Sequence, residues 1–461
     1  MPDRPNALYR NNGTGGFTKV TTGVQATTSE RAHAGVWGDV NNDGWLDFFV
    51  ANFANLSTPV AKDNALYRSD GQGGFVRQSF GPKTAGNDLS FNAAWGDFNN
   101  DGWLDLFVPQ GGVAPVDQRS LLYRNDRAGN LALVPDSTIT AEAANSIACA
   151  WGDLNNDGWL DLFVGRSYGR TNALYRNNGD GSFTAIADSV VTLDAATSGR
   201  GAWADYDNDG WLDLFVSNLG PIDAVNLVSL AEGNNALCHN NGDGTFTQIT
   251  TGSLVNDGGY STGCAWGDYD NDGFPDLFVA NGWITASQNN FLYRNNGNTN
   301  SWLNLRLIGT VSNRSAIGAK VRVRATIGGK TVWQLREISG GGNCGSQNDL
   351  QANFGLGDAT KADLVRIEWP SGTVTELRDV APKRFLTVTE SARLEAVVSN
   401  GTPQCFLQGG HGRQYDVETS TNLPVWSLLR VLTITNLNGI IQITDPNATS
   451  SDHRFYRAVL R

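Results

Sequence analysis

Apolar residues along this chain fall into short runs rather than long amphipathic stripes. Phe48-Phe49-Val50, Leu106-Phe107-Val108, Leu162-Phe163-Val164, Leu214-Phe215-Val216 and Leu277-Phe278-Val279 are runs of one kind, aromatic and β-branched, set off by Asp, Asn and Gly. That composition and punctuation predict strands. A second phrase lies between them, Asn6-Ala7-Leu8-Tyr9-Arg10, and it returns from Asn64, Ser120, Asn172, Asn235 and Asn290. A tight Asn/Gly turn follows it, and most copies continue into another strand, as in Gly179-Asp180-Gly181-Ser182-Phe183-Thr184. No helical periodicity of useful length interrupts the series.

These phrases repeat at intervals of 52 to 63 residues, so the chain is an array of one supersecondary unit. Each period predicts four antiparallel strands: A ending at a Trp, B the Leu-Phe-Val run, C the Ala-Leu-Tyr run and D the strand after the turn. Four short strands in such a span make one blade of a β-propeller. Small residues two before the Trp (Gly35, Ala93, Cys149, Gly201, Cys264) suit an innermost strand crowded about an axis. Five full periods run from about residue 32 to 300, the last taking its strand D from residues 302–307. Residues 6–20 supply only strands C and D of another blade, giving six or seven blades in all. The missing strands point to a longer natural protein or to completion within the molecule, ahead of donation by a neighbour, because an open blade edge invites aggregation.

Between strands A and B stands a nine-residue loop with oxygen side chains at positions 1, 3, 5 and 9. The five copies are Asp39, Asn41, Asp43, Asp47; Asp97, Asn99, Asp101, Asp105; Asp153, Asn155, Asp157, Asp161; Asp205, Asp207, Asp209, Asp213; and Asp268, Asp270, Asp272, Asp276. Alternate positions converge on one centre, and Gly at position 6 permits the sharp turn, which together describe a cage for a hard cation. Position 7 would bind through its backbone carbonyl, so Trp45, Trp103, Trp159, Trp211 and Phe274 serve alike. An EF-hand opens in the same way but closes on a Glu at position 12 and enters a helix; here a strand follows. A plain hairpin turn would share the Asn-Asp-Gly composition, yet it would not require acids at fixed positions in every copy. The prediction is about five structural Ca2+ sites.

Charge agrees with this. The formal net charge is −12, and seventeen aspartates lie in the five loops. Gathered without a counter-ion they would repel and raise one another's pKa. Five divalent ions would bring the formal charge to −2. The acidity argues against nucleic-acid or anionic-membrane partners, which need a basic patch.

The repeats resemble FG-GAP repeats of the integrin α-chain type. Residues 302–390 resemble the ASPIC/UnbV domain, on the stretches 309–323, Ser346-Gln347, Phe354-Gly355-Leu356-Gly357 and Ile367-Glu368-Trp369-Pro370-Ser371-Gly372. The resemblance implies a propeller over residues 1–301 and calcium held by the loop acids. Residues 395–461 alternate in the β manner and look like a small carboxy-terminal β-sandwich of secreted bacterial proteins. The expected fold is therefore all-β in three parts.

No run of apolar residues approaches a membrane span. Calcium loops suit the millimolar calcium outside cells, so an extracellular or periplasmic protein is expected. Five cysteines without metal or redox spacing add nothing, and Cys149 and Cys264 read as small buried thiols. Gly165-Arg166-Ser167-Tyr168-Gly169 matches a nucleophile elbow, but a strand follows where the elbow needs a helix. The four histidines, His33, His239, His411 and His453, lack zinc spacing; His239 replaces the Arg of the Leu-Tyr-Arg phrase. Variable B–C loops at 51–63, 109–119, 165–171, 217–234 and 280–289 are where recognition would reside. These readings give a secreted calcium-binding propeller for adhesion, ligand binding or assembly, with an extracellular protein or glycan as partner. Two alternatives stand beside it. One is a glycan-active lyase or hydrolase using Asp117, Arg119, Arg166, Tyr168, Arg170, Asp223 and Glu232, if they converge. The other is an oligomer or filament subunit that completes its split blade in trans.

Overall fold

The computed structural model describes residues 4–53, 63–78, 89–111, 117–193, 198–220, 222–223, 228–229, 231–282, 287–342, 346–399, 402–409, 413–435, 440–445, 448 and 454–460. The repeating phrases form antiparallel sheets in the order A–B–C–D. Blade 1 is Ala32–Gly38, Asp47–Asn52, Ala65–Ser69 and Phe75–Gln78. Blade 2 is Ala94–Gly96, Asp105–Val108, Leu121–Asn125 and Leu131–Leu133, and blade 3 is Ser146–Gly152, Asp161–Arg166, Ala173–Asn177 and Phe183–Ala185. Blade 4 is Ser198–Ala204, Asp213–Asn218, Ala236–Asn240 and Phe246–Ile249. Blade 5 has three strands, Ser261–Gly267, Asp276–Asn281 and Phe291–Tyr293. Helix among the described residues is confined to single turns between strand D and the next strand A, such as Thr138–Ala141. That matches the absence of helical periodicity.

The blades are joined by their tryptophans. Trp95, Trp151, Trp203 and Trp266 each donate the indole N–H to a strand-A carbonyl of the preceding blade, at Val36, Ala94, Ala150 and Ala202, over 3.2–3.4 Å. In blades 1–3 the glycine after the Trp lies beneath the next ring: a Cβ on Gly38, Gly96 or Gly152 would meet Trp95, Trp151 or Trp203 at 2.7–3.0 Å. In blades 2 and 3 the Trp-Gly pair of strand A is thus an inter-blade joint, donor on one side and seat on the other.

Ser301–Ile308 does not complete blade 5, contrary to the sequence expectation. It pairs antiparallel with Gln351–Gly357 and parallel with Arg384–Thr389. Trp302, Leu303, Asn304 and Leu305 are all buried, so both faces of this strand need cover, which an outer blade strand does not receive. A second sheet, Lys330–Glu337, Lys320–Ile327, Ala362–Glu368 and Val374–Val380, packs on the first. Their shared core of Leu303, Leu305, Val321, Val323, Phe354 and Ile367 runs on without a break into Val36, Val40, Phe49, Trp95 and Leu104 of blades 1 and 2.

The last segment is two three-stranded sheets. One holds Arg393–Ser399, Thr402–Gln408 and Ile440–Ile443; the other holds Ser427–Thr433, Gln414–Ser420 and Phe455–Leu460. They enclose Leu407, Tyr415, Val417, Ile434 and Ile443.

Near the amino terminus Leu8–Asn11 pairs only with Phe17–Val20 among the described strands. Completion of this half-blade within the molecule, one of the sequence readings, is therefore not seen there. Its Tyr9 and Phe17 stay 55% and 68% exposed.

Trp95→Ala should lower the unfolding free energy by about 3–5 kcal/mol, because it empties a buried joint and leaves the Val36 carbonyl without its donor. A denaturant titration showing a loss below about 1 kcal/mol would remove the tryptophans from the account of blade stacking.

Candidate metal centres

Each loop is held open by its own backbone. Position 4 is an asparagine in left-handed conformation in every copy (Asn42, Asn100, Asn156, Asn208, Asn271; φ 52–59°), and the glycine at position 6 has φ 86–101°. This winding turns the amides of positions 5 and 6 inward onto the position-1 carboxylate, at 2.6–3.1 Å in all five loops. The position-5 carboxylate accepts the N–H of position 7. Asp47, Asp105, Asp161, Asp213 and Asp276, at position 9, begin strand B and accept the N–H of Ser69, Asn125, Asn177, Asn240 and Asn295 at the end of strand C.

The position-3 side chains complete the ring. In loops 4 and 5, Asp205, Asp207 and Asp209, and Asp268, Asp270 and Asp272, bring carboxylate oxygens within 4.8 Å of one another. In loops 1 and 3 the asparagine at position 3 donates to position 5, Asn41 to Asp43 and Asn155 to Asp157, at 2.7 and 2.8 Å. In loop 2, Asn99 accepts from the Asp101 amide at 3.0 Å. In loops 3, 4 and 5 the aromatic at position 7 packs on the turn after strand C of its own blade: Trp159 on Gly179, Trp211 on Gly242 and Phe274 on Gly297.

Electrostatics show what these loops lack. Burial, followed by the charges of Asp43 and Asp47, holds Asp39 well above the usual carboxylate range. Burial likewise leads in raising Asp47 and Asp209 to about 6, Asp153 and Asp213 to about 7 and Asp161 to about 8. Two oxygens, Asn41 Oδ1 and Asp105 Oδ2, are buried with no hydrogen-bond partner. A set of crowded, desolvated oxygens with spare lone pairs fits a hard divalent cation, which inverts the local pKa logic. Bound there, it would supply the positive charge at the point where the oxygens converge.

Three features of the centres escaped the sequence reading. First, the position-4 asparagine links neighbouring loops: Asn42, Asn100, Asn156 and Asn208 donate to the carbonyls of Gly102, Gly158, Gly210 and Gly273 of the next blade at 2.9–3.0 Å. The signal was present, since all five copies carry Asn there. Second, the middle domain covers the loop face. Val311, Ile327 and Trp302 press on Gly44, Gly210 and Gly273, Arg322 reaches Gly158, and Lys320 Nζ lies 2.6 Å from Asp97 with both side chains almost wholly buried. Third, His239 sits on the loop-4 acids, 3.1 Å from Asp213 and 3.5 Å from Asp207.

The opposite face holds the residues considered for catalysis. Among the described residues they fall into separate pairs: Arg170 with Asp117, Arg166 with Glu142, and Glu232 with Gln288. Arg119 lies in a two-residue strand beside Ala143. Ser167 is buried, donates to Asn145 Oδ1 at 3.0 Å, and is followed by a turn and a strand rather than an elbow helix. The side chain of Asp223, His411, His453 and parts of the loops at 51–63, 109–119, 217–234 and 280–289 lie outside the described residues. A cavity of about 190 Å³ in the bore, lined by Trp151, Trp203, Arg336, Glu337 and Asp349, takes in none of these candidates.

The FG-GAP-like repeat model matches residues 2–50, 53–108, 113–164, 153–216 and 224–279, five copies that contain the five loops. The chain belongs to the FG-GAP-like repeat family. The ASPIC and UnbV model matches residues 309–395 of this FG-GAP protein. Cartilage acidic protein 1 of Homo sapiens is 28% identical over 283 residues, covering 60% of this chain and 41% of that protein. The Xenopus tropicalis protein of the same name is 27% identical over 410 residues, covering 84% and 59%. The chain therefore spans 41–59% of the length of these curated relatives. Among solved structures, an Agrocybe aegerita lectin recognising non-reducing terminal N-acetylglucosamine is 13% identical at a TM-score of 0.40, covering 82% of this chain and 89% of its own. An exo-β-1,3-galactanase of Phanerochaete chrysosporium is 10% identical at 0.35, covering 99% and 94%. At such TM-scores neither likeness bears on ligand or activity.

Raised carboxylate pKa values have a stability consequence. Unfolded aspartates titrate near 4, whereas Asp47, Asp153 and Asp161 hold their protons to about 6, 7 and 8. Without divalent ions the folded state binds the extra protons, so this contribution is present below about pH 4 and is lost as pH rises to about 8. Melting temperature in chelator should therefore fall between about pH 5 and 8, and the gain on adding calcium should grow over the same window. A melting temperature in chelator that rises across it would contradict the electrostatic description.

Proposed function

We propose that this FG-GAP protein is an extracellular or periplasmic β-propeller, stabilised by calcium at its five loops, that binds a protein or glycan ligand through the variable loops opposite them. One observation carries the reading: the middle domain lies over the metal-loop face and leaves the B–C loop face as the side available to a partner. Cations placed under a domain interface act as structural elements, joining blade to blade and propeller to cap. Loops of varied length on so stiff a base are suited to recognition. The exterior location follows from the chemistry of the loops, since sites of this kind fill at the calcium levels found outside cells. No helix among the described residues is long and apolar enough to cross a membrane.

A second reading, self-assembly, draws on the two-stranded sheet at residues 8–20, whose edge and exposed Tyr9 and Phe17 could take up strands of another copy. Light scattering of the purified protein separates the two: a concentration-independent monomer removes self-assembly.

Asp157→Asn tests the calcium. Asn retains the oxygen that accepts the Trp159 N–H (3.0 Å) and removes one charge. The calcium-induced rise in melting temperature should shrink, while the melt in chelator changes less, relief of repulsion offsetting the lost Asn155 donor bond to Asp157. An equal loss in both conditions would show that loop 3 needs Asp157 for its fold and not for a cation.

A further inference from the structure

We infer that the fourth loop carries a site for a small borderline divalent cation, of which Zn2+ is the probe, with His239 ligating beside Asp207 and Asp213. The inference rests on the reading that the loops hold cations and adds that one loop is chemically unlike the others.

At the corresponding place in strand C the other four blades have Arg68, Arg124, Arg176 and Arg294. A guanidinium has only donors and cannot ligate a metal; an imidazole offers a lone pair. In blade 4 that imidazole stands among the loop acids. His239 Nδ1 lies 3.1 Å from Asp213 Oδ1 and 3.5 Å from Asp207 Oδ2, and its Nε2 lies 4.0 Å from Asp209. Ligand atoms of Asp207, Asp213 and His239 all fall within 4.8 Å of one another. Nδ1 is shut off from solvent and, despite its nearness to Asp213, is not aligned in a hydrogen bond.

The spacing suits a small ion. Bonds of about 2.0–2.2 Å place neighbouring ligands about 3–3.5 Å apart in octahedral or tetrahedral arrangements, so the two separations at His239 Nδ1 need little adjustment. The donor set points the same way: imidazole with carboxylates suits zinc and its neighbours in the transition series, whereas calcium takes oxygen alone.

The ligands are also held in place. Asp213 is fully buried and accepts the amides of Asn240 and Tyr206 at 2.8 and 3.3 Å. The Tyr206 ring stands edge-on to the imidazole at 6.3 Å. Asn298 and Asn300 both donate to the Asp207 carbonyl, at 2.6 and 2.9 Å, which fixes the backbone of position 3. Asp207 itself is a carboxylate where loops 1–3 carry an amide, so loop 4 adds a charge as well as a nitrogen. The competing role for His239 is that of a protonated counter-ion, doing for loop 4 what Arg294 does for Asp270 at 2.6 Å in loop 5.

The experiment uses the full chain, stripped with chelator and dialysed against Zn2+ in the presence of excess Ca2+, with both metals counted by elemental analysis. Wild type should retain one zinc per chain. His239→Arg, which installs the residue of the other blades and keeps a positive charge, should bind that zinc about tenfold more weakly or worse while holding calcium. Asp207→Asn, which restores the residue of loops 1–3, should weaken zinc in the same sense. Equal zinc in wild type and His239→Arg, or none in either while calcium is retained, overturns the inference. Loss of calcium from every variant would instead overturn the reading of the loops themselves.

Discussion

Crowding of negative charge at one end of the blades is the constraint that the rest of the structure answers. Seventeen aspartates converge there, and those at positions 1 and 9 are almost all buried. A buried carboxylate is costly unless hydrogen bonds and counter-charge compensate it. The loops turn backbone amides onto the position-1 acid, and the first amide of the following turn onto the position-9 acid. Cationic side chains reach several loops, with Lys320 on Asp97, Arg68 at 3.6 Å from Asp47 and Arg127 at 3.1 Å from Asp101. The raised pKa values of Asp153 and Asp161 show that these measures fall short in loop 3. The proposed calcium ions would make up the difference.

The middle domain belongs to the same solution. It lies against the loops, shares an uninterrupted apolar core with blades 1 and 2, and enters the bore, where Trp37 donates to Gly340 and Asn348 accepts from the Trp266 amide. Propeller and cap are therefore one packed body at this interface. A cation in a loop would stiffen that interface as well as its own blade, because the position-4 asparagines of loops 1–4 tie each loop to the next.

Covering one face leaves the other open. The B–C side carries loops of different lengths, and among the described residues the charged groups considered there form separate pairs, which is why the proposed ligand recognition is placed on that side. Blade 4 departs from the repeat on the covered side, where His239 replaces arginine beside an extra aspartate. Loss of an arginine that the other four blades share is informative because those blades show what packing alone requires.

Much of the fold was legible along the chain. A metal loop, a Trp-Gly pair and the alternation of apolar runs are local patterns, and repetition set strand order and blade identity through short connections. The five acidic loops were legible too, since positions 1, 3, 5 and 9 lie within nine residues. Sequence alone did not assign residues 302–307: an apolar strand fits either a blade edge or the centre of another sheet, and only burial on both faces at Leu303 and Leu305 decides. It did not show that Lys320 meets Asp97 or that the cap lies on the loop face, because those contacts join residues more than two hundred apart. Nor did it place His239, noted only as a replacement for arginine, on the loop-4 acids, because that contact depends on the tertiary fold bringing strand C against a loop about thirty residues earlier. Local periodicity fixes elements; contacts between elements, which carry the charge balance and the open face, are set only when the whole chain is packed.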